Sequence, residues 1–205
     1  MSLSRVSWGL LAASLVFMTF GADVASAQPA PAVSVTPGPS LTGGSGGIPI
    51  TYGWQFRPTV DIEISRLGFA DGAPYSAVGL HEPHDVGVFD SEGRLIVSAR
   101  IPKGSRAVLE DGFWYVSIPP LLLQGGHVFT IGALLPEPKK DTVLAFDPVI
   151  DGPPSVTFDS RIIWLQGVSN YPGGRELAFP SAPCCGTLVG FFGPTFTIAS
   201  GDSAP

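Results

Sequence analysis

The chain has 205 residues, a formal net charge of −6, 44% hydrophobic residues and only 14% charged ones. So much apolar content at so low a charge density excludes a solvated tail, and an acidic balance without a basic cluster argues against nucleic acid and anionic membrane surfaces as partners. The 26 Gly and 21 Pro are spread between apolar runs, which suits the many turns of an all-β domain.

Residues 1–27 read as a signal peptide. Arg5 supplies the positive start, Val6–Phe20 is almost wholly apolar, and Ala25-Ser26-Ala27 is a small-x-small cleavage site. An uncleaved anchor is the competing reading, but the apolar stretch is short for a membrane span. The expected location is therefore exported, periplasmic or extracellular, with no membrane anchor once the signal is cleaved. Gln28–Gly47 is rich in Pro, Ala, Ser and Gly and is expected to be a flexible leader. The domain is expected over 48–198, with a short tail at 199–205.

Within that domain, apolar residues alternate at period two, which puts one face of each strand in a core. Thr51–Phe56 predicts a first strand with Tyr52, Trp54 and Phe56 on one face. Val60–Phe69 predicts a second whose phase slips: Val60, Ile62 and Ile64 are even, Leu67 and Phe69 odd. A bulge near Ser65-Arg66 would return both sets to the core. Next comes a hairpin over Asp85–Ile101, its tip Asp90-Ser91-Glu92-Gly93 offering Gly93 for a positive φ. Strands follow at Phe113–Ile118, Val128–Leu134, Thr142–Phe146, Ser160–Gln166 and Thr187–Ile198. With no amphipathic helix of useful length, the expected fold is all-β: eight or nine strands in a two-sheet antiparallel sandwich, jelly-roll-like.

The order of landmarks adds a resemblance. Gly53-Trp54-Gln55-Phe56, Leu67-Gly68-Phe69, His84-Asp85-Val86-Gly87-Val88-Phe89-Asp90, Gly93-Arg94-Leu95-Ile96, Tyr115-Val116 and Gly125–Gly132 fall in sequence across about residues 48–198. Together with Phe191–Phe196 they resemble an uncharacterised β-sandwich domain of bacterial surface and exported proteins, often found with a C-terminal Pro-Glu-Pro sorting signal. Phe89 stands where that family usually has Trp, and Phe129 where it often has Tyr. The sorting anchor is absent from Ser200–Pro205, and Leu135-Pro136-Glu137-Pro138 spells its letters only in mid-domain. The resemblance implies export and a sandwich, and it brings no catalytic residues.

Few residues offer chemistry. His81-Glu82-Pro83-His84-Asp85 holds two of the three histidines. Pro83 opposes a helix there, and on a strand alternate side chains diverge, so a hydrogen-bonded strand entry is favoured over a metal site. Gly43-Gly44-Ser45-Gly46-Gly47 has the spelling of a nucleophile elbow without the strand-turn-helix context that makes one work. Adjacent Cys184 and Cys185 are too close for an ordinary disulfide with each other. A strained ring, a bond to another chain and two buried thiols remain open. Trp54, Trp114 and Trp164 read as core, while Tyr75, Tyr115, Trp164 and Tyr171 are the rings whose position could leave them exposed, core packing being favoured for Trp164.

The low-specificity binding set is thus Tyr75, His81, Glu82 and Tyr171, on the loops Gly72–Pro83 and Asn170–Arg175. Neither catalytic residues nor a cofactor are expected. The leading functional reading is a non-catalytic exported domain that binds a surface glycan, matrix polymer or surface protein through its loops. The alternative is a structural or assembly protein of the cell envelope or matrix, joined through a sheet edge or the cysteine pair. A metal-assisted hydrolase ranks last.

Overall fold

The computed structural model describes residues 29–36, 41–43, 48–70, 79–136, 143–146, 155–184 and 190–199. Among these, strands and turns occur and no helix does. The expected signal segment lies outside the described residues, as do 200–205.

In chain order the strands are β1 (Ala30–Pro31), β2 (Val33–Thr36), β3 (Leu41–Gly43), β4 (Ile50–Pro58), β5 (Ile62–Ala70), β6 (His84–Phe89), β7 (Leu95–Ile101) and β8 (Val108–Glu110). They continue as β9 (Phe113–Leu123), β10 (Phe129–Leu135), β11 (Val143–Phe146), β12 (Ser155–Phe158), β13 (Ile162–Ser169), β14 (Ala182–Pro183), β15 (Gly190–Phe191) and β16 (Pro194–Ile198). One main sheet has the order β1-β16-β5-β9-β8 and the other β14-β13-β4-β10-β6-β7. Two small ladders, β15-β11-β3 and β12-β2, accompany them.

The topology is that of a jelly roll. Take β1, β4, β5, β6, β7, β9, β10 and β16 as strands one to eight. In the first sheet the order is then one, eight, three, six, and in the second it is two, seven, four, five. This alternation of the chain between two sheets nests two Greek keys. β8 extends the first sheet beyond β9, and β13 with β14 extends the second beyond β4.

Aromatic rings tie the sheets together. Trp54 of β4 stacks on Phe196 of β16 with centroids 5.9 Å apart, and Phe56 lies 5.0 Å from the same ring. Phe192 and Phe158 pack against Trp54 at 6.1 and 5.8 Å. The Trp54 indole N–H donates to the Pro194 carbonyl at 2.9 Å, so its one polar atom is satisfied within the apolar interior. Trp54, Phe56 and Phe196 are fully buried, as is Ile131 on the neighbouring β10.

The expected bulge is present. Against β16, Ile64 pairs with Ile198 and Arg66 with Thr197, so Ser65 is the extra residue. β9 is irregular at the same level, where Ser117 pairs with Arg66 and Leu121 with Ile64. Pro119 and Pro120 lie in that interval and have no N–H to give a ladder. The hairpin tip also forms as expected: Gly93 has a φ of 79°, and the Asp90 carboxylate accepts backbone N–H groups of Glu92 and Arg94, each at 2.9 Å.

Several expectations need correction. The described part of Gln28–Gly47 is not a flexible leader. Ala30 pairs with Ile198 and Pro31 with Thr197, β2 pairs along β12, and Ala32 and Val33 are buried. Such a stretch folds because β16 and β12 present backbone groups that need partners. The domain therefore starts before Ile48. Val60, expected to face inward, is 52% exposed because β5 begins only at Ile62. Leu95 is 49% exposed because the register shift between Val97 and Leu95 turns it to the outer face, beside Gly87. β8, β12 and β14 were not expected, being too short for alternation to register.

Candidate functional site

The strands fix which loops share an end. Ile50 opens β4 opposite Leu135, which closes β10; His84 opens β6; Ser169 closes β13 opposite Tyr52. The segments around 79–83 and 170–175 therefore emerge at the same end of the sandwich. Three inter-strand spacings separate β13 from β6 in the order β13-β4-β10-β6, about 14 Å. His81 and Glu82 are thus on one rim of this end and Tyr171 on the other; they share a surface without converging on one atom. Tyr75 and Cys185 lie outside the described residues.

His84 does not belong to that surface. It is buried, its ring stacks on Phe69 of β5 at 3.9 Å, and its Nδ1–H donates to the Leu134 carbonyl at 3.0 Å. Its neighbour Asp85 faces the other way and meets Arg100 at 3.1 Å. The His81–Asp85 cluster is thus opened by the pleat. Among the described residues no group of three or more His, Cys, Asp or Glu side chains is placed to hold a metal ion.

Tyr171 is 62% exposed, the most exposed large aromatic described. The loop beneath it is tied to β4 through both backbone groups of one residue: Asn170 Oδ1 accepts from Thr51 N–H at 2.7 Å, and Asn170 N–H donates to the Thr51 carbonyl at 3.2 Å. Gly173 sits where a Cβ would come within 2.4 Å of the Pro49 carbonyl, so the loop lies flat on the start of β4. The ring is presented from a braced loop.

Beyond this loop the chain turns back over the outer face of the six-stranded sheet. Gly53, Gly132 and Gly87 stand side by side on β4, β10 and β6, leaving a row without side chains. The segment 177–180 fills it. A Cβ on Gly87 would meet Leu177, one on Gly132 would meet Pro180, and Ala178 N–H donates to the Thr51 hydroxyl at 3.3 Å. Phe179 packs on Phe89 at 5.6 Å. β14 then pairs with β13, and the half-buried Cys184, a free thiol packed against the core, donates its backbone N–H to Gly167. The protein's own strap thus covers the outer face of the six-stranded sheet along this row of glycines. Sequence reasoning missed the strap. Its only signal was a glycine at one position in each of three strand-like runs, which marks close approach of another backbone.

Tyr115, expected as an exposed candidate, is buried on the outer side of the five-stranded sheet. Its ring lies over Gly68, where a Cβ would sit 2.5 Å from Tyr115 Cδ1. Arg66 covers it with its guanidinium carbon 5.0 Å from the ring centre, and Glu110 holds Arg66 at 2.8 Å. Burial pushes the phenol well above its usual range. The neighbouring Thr195 hydroxyl opposes this only in part, being too poorly placed for a full hydrogen bond. This arrangement covers a sheet face. Trp114 is core as expected, and Trp164 is half-buried against it.

A shallow cavity of about 340 Å³ has Ser34, Val35, Asp111 and Gly112 in its lining. Asp111 and Gly112 form the β8–β9 turn with φ of 50° and 80°. Because Phe113 pairs with Ala70 at the end of β5, this turn too lies at the loop end. No protein-family model matches the chain, and neither a curated protein nor a solved structure matches it significantly.

Proposed function

We propose that this chain is an exported, non-catalytic jelly roll that binds a surface glycan or matrix polymer through the loops at one end of its sandwich. The observation that carries the reading is Tyr171, an exposed ring on a loop braced by the Asn170–Thr51 pair. A flat aromatic face stacks on the C–H face of a sugar, and a pre-ordered loop spends little ordering entropy on contact. The hydroxyl and carboxylate of Ser34 and Asp111 line a cavity at the same end and suit a polyhydroxylated ligand. Resemblance of the landmark residues to a domain of exported surface proteins supports the same location.

The test is affinity electrophoresis of the chain through gels containing a panel of neutral and acidic polysaccharides. Retardation by at least one polymer is expected, and Tyr171→Ala is expected to weaken it by roughly tenfold, the equivalent of about 1.4 kcal/mol of stacking. No retardation by any polymer, or retardation unchanged in Tyr171→Ala, would overturn the reading.

A further inference from the structure

We infer that β7 is an association edge at which two copies of this chain pair antiparallel, joining their six-stranded sheets into one. The borders of the two main sheets are not treated alike. β1 has two residues and includes Pro31, β14 has two and includes Pro183, and β8 has three. Short length and proline are the devices by which native sheets blunt their edges. β7 has seven residues, Leu-Ile-Val-Ser-Ala-Arg-Ile, with no proline among them, and among the described residues it pairs only with β6. Leu95 and Ile96 on it are 49% and 40% exposed. Its ladder with β6 is regular from Val97 to Ile101, the one irregularity lying beyond Val97 toward the tip.

The occupant that fits is a second copy, because the strand is complementary to itself. With the two-fold axis at Ala99, Ala99 faces Ala99 of the second copy, Val97 faces Ile101, and Ser98 faces Arg100. Val97, Ala99 and Ile101 are the side chains turned toward the core, so apolar meets apolar on that face. On the other face the one charge in the strand, Arg100, is matched by Asp85 of its own chain at 3.1 Å and meets no like charge directly across. Pro102, which has no N–H to give, falls just outside the regular ladder. A closed two-fold pair of this kind consumes the exposed edge in both copies and stops there.

The loop that carries Tyr171 follows β13, four strands from β7 in the sheet order, so association leaves that ring accessible and would present two of them on one assembly. The inference does not depend on the glycan reading. Sedimentation velocity of the chain over a concentration series, with reductant present to remove any contribution from cysteines, is the test. A concentration-dependent dimer is expected. Ser98→Lys, which sets two symmetry-related like-charge pairs across the axis, is expected to weaken it by roughly tenfold, and Ser98→Asp to strengthen it by a similar factor. Both substitutions lie at an exposed position, and circular dichroism confirms the fold of each. A strict monomer at the highest concentration, or a dimer indifferent to both changes, would overturn the inference. So would weakening by both, because that is the signature of an axis at Ser98.

Discussion

Asp159 shows how a single residue fixes a turn. Its carboxylate accepts the Arg161 backbone N–H at 2.9 Å and grips the same guanidinium through both oxygens at 2.8 Å. The Arg161 side-chain bonds are the largest reason its pKa lies below the usual carboxylate range. A depressed folded-state value means the contribution is complete above the ordinary value of 3.8 and is lost as pH falls through the lower, folded one. Asp159→Asn should therefore lower stability at neutral pH by about 1–2 kcal/mol and flatten the acid limb below pH ~4. Urea unfolding at a series of pH values reads both effects. Tyr115 has the opposite sign. Its phenol is raised by burial, so stability should fall as pH climbs above 10, the unfolded value. Tyr115→Phe should remove that alkaline dependence in the same measurement.

Elements in this fold are set by what lies beside them. β4 is buried on both faces over most of its length, and its Gly53 is the tightest point: a Cβ there would lie 1.8 Å from the Ile131 carbonyl oxygen. Backbone cannot yield as a flexible side chain does. Gly53→Ala should destabilise the domain by about 3 kcal/mol, seen as a lower denaturation midpoint with an unchanged slope. Gly87 provides the comparison. Its near atoms are the ends of Leu95 and Leu177, so Gly87→Ala should cost about 1 kcal/mol and loosen the strap more than the sheet. Hydrogen exchange at 177–180 distinguishes the two.

At the scale of the whole molecule, the jelly roll depends on its first strand. β1 closes the free edge of β16, and Ala32 with Val33 completes the core beside it. A chain that begins at Ile48 should lose about 3 kcal/mol, from the buried Val33 side chain and the ladders left open, and should melt lower by roughly 6–12 °C. Were residues 28–47 only a leader, thermal unfolding of the shortened chain would match that of the longer one.

Much of this was legible in the residues. Alternation at Tyr52, Trp54 and Phe56 specified an inward face, the phase slip from Ile64 to Leu67 specified the Ser65 bulge, and Asp90–Gly93 specified a turn. Each of these is local: it follows from side chains two to five positions apart. Two sheets with a shared aromatic core follow from the same patterning. Tertiary structure alone decided the rest, because each remaining feature is a contact between residues far apart in the chain. Pro- and Ala-rich residues near 30 became a strand since β16 offered them an edge, and His84 became core since Phe69 lay across from it. Tyr115 was buried by Gly68, Arg66 and its sheet, whereas Tyr171 was left in solvent on a loop braced by Thr51. Period-two patterning tells a strand which side to bury. It carries no information about what will arrive to cover the other side.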